Sequence, residues 1–137
     1  MTARFYLLIS ALSGALSVAL GAFAAHGLKK IVSPDMLSTF QTGVHYQFIH
    51  SLVLLALATL LLVPAMKAVT CLLKWSANLM MLGIMLFSGS LYTMTFMSVS
   101  GGFPAWLGPI TPIGGLAFIM GWIFLLVAAF KLPIDEQ

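Results

Sequence analysis

The sequence predicts an all-α membrane protein: four transmembrane helices in an antiparallel bundle, with both termini in the cytoplasm. Charge spacing and composition carry that prediction. Three stretches, 5–28, 36–66 and 75–130, contain no Asp, Glu, Lys or Arg and run to 24, 31 and 56 residues. A spanning helix needs about 20 mostly apolar residues, so each stretch can cross a bilayer. The chain of 137 residues is 61% hydrophobic and 7% charged, where soluble domains carry about 25% charged residues. Six basic and three acidic side chains cannot clothe such a core in water, so the outer face of the bundle meets lipid. The length fits one domain over 1–137.

The first helix is expected over 5–26. Arg4 and the Ala22-Phe23-Ala24 run resemble parts of a cleaved signal, but the apolar segment exceeds the 7 to 15 or so residues of a signal core. It reads as a signal anchor. Gly27 suits a left-handed C-cap, and Lys29 and Lys30 follow where cations meet the negative helix end. Ser33 and Pro34 restart the chain as N-cap and first helical residue. The second helix is expected over 34–63, stopping at Pro64. It would be about 45 Å long against a hydrocarbon layer of about 30 Å, so its polar first turns stand outside the slab or the helix tilts.

The 56-residue tract would measure about 84 Å as one helix, so it must break. The break is written at Ser100-Gly101-Gly102-Phe103-Pro104 and again at Gly108-Pro109. The third helix is expected over 72–99. The fourth is expected over 112–130, with Thr111 as N-cap, Pro112 at the first helical position and Pro133 beyond the end. The uncharged connection carries Phe103 and Trp106, which suit a membrane interface.

Orientation follows from the basic residues. Arg4, Lys67, Lys74 and Lys131 fall on one side and Lys29 and Lys30 on the other. The side richer in Lys and Arg is cytoplasmic, and Asp135 and Glu136 barely affect the rule. The net charge of +3 comes from scattered residues, which does not indicate nucleic-acid binding. The single Cys71 excludes an internal disulfide and a cysteine zinc cluster.

Small residues form a packing code. Ser13, Ser17, Gly21 and Ala25 recur every four residues in the first helix, and Gly114, Gly115 and Gly121 mark the fourth. Such spacing lets helix backbones approach closely in lipid. The plainer use is packing within the bundle; the sharper one is a face for a second copy or another membrane protein.

Four segments taken in order carry a resemblance: Gly-Ala-Phe-Ala-Ala-His-Gly-Leu at 21–28, Phe-Gln-Thr-Gly-Val-His-Tyr-Gln-Phe-Ile-His at 40–50, Phe-Ser-Gly-Ser-Leu-Tyr at 87–92, and Ile-Thr-Pro-Ile-Gly-Gly at 110–115 with Gly121-Trp122. The chain resembles the YgdD-like family of small four-span membrane proteins (the transmembrane protein 256 / YgdD family). The resemblance covers nearly the whole chain and implies four helices and a bacterial inner-membrane home. The family is defined without an assigned activity, so the resemblance carries over no catalytic residue.

The polar residues most open to a function are His26, Gln41, His45, Tyr46, Gln47 and His50, all toward the outer leaflet in the expected topology. An ionisable residue at membrane depth, as His50 is, is a functional hypothesis by default. His45 and His50 differ by five residues, about 140° around a helix, so they cannot ligate one ion together from a regular helix. No intramembrane carboxylate completes a hard-cation site. The plainer reading is histidines hydrogen-bonded to Gln41, Gln47, Tyr46, Tyr92 or Asn78 inside the bundle. Ser88-Gly89-Ser90 lacks the base and acid partners of a nucleophile. No catalytic residue, metal site or cofactor is expected.

The first functional reading is therefore a non-enzymatic inner-membrane protein that stabilises a complex or the bilayer, with lipid and a homo-oligomer or another membrane protein as partners. The second is a small transporter, channel or proton- or ligand-sensing protein that uses the histidine cluster. Haem or metal ligation by His26 with His45 or His50 ranks below both.

Overall fold

The computed structural model describes residues 1–132. Four helical segments, Ala3–Lys30, Pro34–Leu60, Pro64–Ser98 and Ala105–Phe130, are long and apolar enough to cross a membrane. There is no strand among the described residues.

Helix α1 covers Ala3–His26, and the Thr2 side chain caps it by accepting from the Phe5 amide. Its end departs from the expected left-handed cap. Gly27 lies at φ −94°, ψ −59°, and the chain tightens into a 3-10 turn over Leu28–Lys30. A Cβ on Gly27 would sit 2.9 Å from the exposed Phe23 ring, which would have to shift to make room. The left-handed backbone occurs instead at Gly101 and Gly102, with φ of 105° and 122°, where the chain leaves the third span.

Helix α2 covers Pro34–Leu60, with Ser33 as N-cap accepting from the Met36 amide and Asp35 in the first turn. It ends three residues short of the expected 63. Pro64 holds Val63 in an extended conformation, because the proline ring disfavours helix in the residue before it. The last amides tighten accordingly, Leu62 bonding to Thr59 and Val63 to Leu60. A 3-10 segment, Pro64–Val69, leads into the third span.

That span is not the single regular helix expected over 72–99. It runs as α3 (Thr70–Gly83), a π-helical turn (Ile84–Ser88) and α4 (Gly89–Ser98). A π turn carries an extra residue and re-aims the helix beyond it. Here α3 packs chiefly on α5 (Ile110–Phe130), and α4 packs chiefly on α2. The wide turn sits where Gly114 of α5 meets the Phe87 backbone so closely that a Cβ on Gly114 would collide with the Phe87 amide nitrogen.

Helix α5 begins two residues before the expected 112, and Thr111 is not its cap. Pro109 occupies the cap position without a side-chain bond. The Thr111 hydroxyl lies 2.7 Å from Ser90 Oγ on α4 instead, so a cross-helix partner replaces the local one. A short 3-10 turn, Ala105–Leu107, precedes it, with Leu107 buried and Trp106 65% exposed. Pro133, Asp135 and Glu136 lie outside the described residues.

Three buried clusters tie the helices. The largest joins Tyr6 of α1, Leu54, Leu57 and Ala58 of α2, Leu73, Ala77 and Met80 of α3, and Phe118 and Ala128 of α5. A second joins Ala24, Leu28 and Phe40. A third holds Leu91, Met94 and Leu107. Large side chains such as Leu12, Leu55, Met85, Leu116 and Leu126 are exposed outside these clusters, as a lipid-facing surface requires.

Candidate functional site

Polar side chains stitch the bundle together from within. Gln47 of α2 is buried at 3% exposure. Its Nε2 donates to the Ser13 carbonyl of α1 at 2.9 Å, and its Oε1 accepts from the Tyr92 hydroxyl of α4 at 2.8 Å. One amide thus joins three helices. Ser51 Oγ lies 2.7 Å from both Ser13 Oγ and the Gln47 carbonyl, and Ser10 Oγ donates to the Ser51 carbonyl at 3.0 Å. Tyr6 donates to Asn78 Oδ1 at 2.8 Å, and Ser76 donates to the Gly121 carbonyl at 2.8 Å. Each bond answers the same constraint, since no water is present in hydrocarbon to satisfy a lone hydroxyl or amide.

The small residues sit where backbones come close. Ser17 is buried and donates to the Gly14 carbonyl. Gly21 faces Val44 of α2, and Gly121 faces Met80 and Leu79 of α3. Gly115 borders Phe87 with room to spare, and Ala25 is exposed.

The six polar candidates do not converge. His26 is exposed at the end of α1. Gln41 and His45 are exposed and line an open cleft of about 400 Å³ between α1 and α2, floored by Ser17 and Gly21. Gln47 belongs to the interior stitch. His45 also borders a second cleft, of about 420 Å³, between α2 and α5, together with Tyr46 and His50. The 140° between His45 and His50 thus places them at one broad cleft, with Tyr46 and Ile49 between them. No group of three His, Cys, Asp or Glu side chains able to hold a metal ion occurs among the described residues.

His50 is the buried member, at 5% exposure. Its ring stacks on Phe118 of α5, with centroids 3.6 Å apart and planes at 15°. Nδ1 lies 2.8 Å from the Tyr46 carbonyl one turn earlier. A carbonyl only accepts, so Nδ1 carries the proton and Nε2 is the acceptor in the neutral ring. The Tyr46 ring packs against Phe87 at 4.5 Å, and Phe87 meets Phe118 edge-on at 5.8 Å. The cleft is therefore lined largely by aromatic side chains, Trp122 among them.

Phe87, Phe118 and Trp122 were not among the residues expected to matter. They lie on helices distant in sequence from the histidines. Phe87 and Trp122 fall in the resembling segments, and that was the available signal. The π turn left no composition cue, because Ile84–Ser88 reads as ordinary apolar helix.

A family model described as a protein of unknown function (DUF423) matches residues 20–115. The chain is 39% identical over 132 residues to the UPF0382 inner membrane protein YgdD of Escherichia coli (strain K12), covering 96% of this chain and 94% of that one. It is 44% identical over 126 residues to a UPF0382 membrane protein of Haemophilus influenzae, covering 92% and 94%. It is 40% identical over 129 residues to the UPF0382 membrane protein YwdK of Bacillus subtilis (strain 168), covering 93% and 98%. No solved structure matches the chain.

Proposed function

We propose, from the premise that this chain belongs to the DUF423 family of proteins of unknown function, that it is a non-enzymatic multi-pass protein of the bacterial inner membrane. In this reading its four spans form an antiparallel bundle with both termini cytoplasmic. It acts as a scaffold, holding a second copy or another membrane protein and supporting the bilayer around it.

The observation that carries the reading is the use made of polar side chains. Gln47, Tyr92, Ser51, Ser76, Tyr6 and Asn78 are bonded between helices, and among the described residues no nucleophile is held by a base. Ser51, the best-placed hydroxyl, is bonded to Ser13 and the Gln47 carbonyl. The relatives' description as inner membrane proteins supports the location. The largest buried cluster supports the antiparallel arrangement, because it gathers Tyr6 near the start of α1, Leu57 near the end of α2, Leu73 near the start of α3 and Ala128 near the end of α5. The four basic residues Arg4, Lys67, Lys74 and Lys131 flank these same helix ends.

Native mass spectrometry after extraction in mild detergent tests the scaffold role. A second copy or a stoichiometric membrane partner is expected; particles holding one copy alone refute it. Topology is tested on Cys71, the single and exposed cysteine near the start of α3. A membrane-impermeant maleimide should label it in inverted vesicles and spare it in right-side-out cells. The reverse pattern refutes the orientation.

A further inference from the structure

We infer that the α2–α5 cleft binds the hydroxylated ring of a membrane-dissolved quinol, with His50 Nε2 accepting a hydrogen bond from a ring hydroxyl. The inference goes beyond the scaffold reading and stands independently of it.

The first argument is the unused acceptor. His50 is bonded through Nδ1 to the Tyr46 carbonyl, which leaves Nε2 as a lone pair with no partner among the described residues. The one fully enclosed polar side-chain atom without a partner among those residues is Ser88 Oγ. The Nε2 edge is therefore open, and the cleft is the space that His50 lines. A buried acceptor in hydrocarbon needs a donor brought by a ligand, because water is scarce at that depth.

Shape and charge select the class of ligand. Tyr46, His50, Phe87, Phe118 and Trp122 line the cleft, and the first four pack ring against ring, so a planar ring entering it extends an aromatic cluster already in place. Among the described residues no Lys, Arg, Asp or Glu lines the cleft, so a phosphate or ammonium headgroup finds no counter-charge there. A volume of about 420 Å³ takes a substituted ring and the first part of its tail.

Depth makes the same choice. His50 stands 10 residues before the α2 end at Leu60, about 15 Å along the axis, which is inside a hydrocarbon layer of about 30 Å rather than at its edge. Phospholipid headgroups stay outside that layer, whereas a ring on an isoprenoid tail is soluble within it. Ile49, Ile119 and Trp122 at the cleft are exposed and apolar, as a mouth that faces lipid requires.

The acceptor also distinguishes redox forms. A quinol carries two O–H donors; the oxidised quinone carries two carbonyls, which cannot donate to Nε2. The test is equilibrium quenching of Trp122 in the full chain carrying Trp75→Phe and Trp106→Phe, reconstituted in nanodiscs and titrated anaerobically with decylubiquinol and, separately, decylubiquinone. Saturable quenching by the quinol is expected, with the quinone about tenfold weaker for want of one hydrogen bond. His50→Phe keeps the stacked ring and removes the acceptor, and should bring quinol binding down to the quinone level. His50→Gln restores an acceptor and should recover part of the preference. Equal binding of both forms, or quenching that rises linearly without saturation, overturns the inference even if His50→Phe fails to fold.

Discussion

Gln47 offers a quantitative test of how this bundle is held. Gln47→Leu keeps the side-chain volume and removes both interhelical bonds, to the Ser13 carbonyl and from the Tyr92 hydroxyl. At about 0.6 kcal/mol for each bond in a bilayer, their loss costs about 1.2 kcal/mol. The Ser13 carbonyl keeps its place within α1, but the Tyr92 hydroxyl is left without an acceptor inside the protein. An orphaned buried polar group adds about 1–3 kcal/mol, so the single variant loses about 2–4 kcal/mol in all. Adding Tyr92→Phe removes the orphan. The double variant should therefore be more stable than Gln47→Leu alone, returning to within about 1–2 kcal/mol of the parent. Reversible unfolding in mixed SDS micelles, followed by circular dichroism, gives each free energy, and a double-mutant cycle isolates the coupling. If Tyr92→Phe destabilises by the same amount with and without Gln47, the two side chains do not interact and the three-helix stitch is wrong.

Three further substitutions probe the π turn, two on the helix that faces it and one within it. Gly114→Ala drives a methyl group into the Phe87 backbone, which cannot rotate away, and should cost about 1–3 kcal/mol or more in the same assay. Gly115→Ala meets nothing nearer than 3.8 Å and should be neutral or stabilising by up to about 1 kcal/mol through helix propensity; equal losses at both positions would refute the close approach at Gly114. Ser88→Ala removes an enclosed hydroxyl without a partner and should be neutral or stabilising by about 1 kcal/mol. A clear loss there would mean that the hydroxyl is bonded after all.

The four apolar segments were legible because each announces itself in a continuous run of residues. Ser33 and Pro34 mark the start of α2 in sequence and do so in the fold. Misreadings arose where a distant residue decides a local question. Thr111 has the chemistry of a cap, yet Ser90 on another helix takes its hydroxyl. Helical spacing alone separated His45 from His50, whereas the width of the space between α2 and α5 lets both border it. The aromatic wall that makes His50 distinctive comes from Phe87 and Phe118, and nothing in a linear pattern joins positions 50, 87 and 118.

The π turn makes the third span sensitive to residue count rather than to residue type. One α-helical residue corresponds to about 100° of rotation, and the wide turn at Ile84–Ser88 sets the angular offset between a first half seated on α5 and a second half seated on α2. Deleting one residue there would leave every downstream side chain chemically intact and point it elsewhere: Thr95 away from the Met36 carbonyl, Tyr92 away from Gln47. Along this stretch a one-residue deletion is a larger injury than most substitutions.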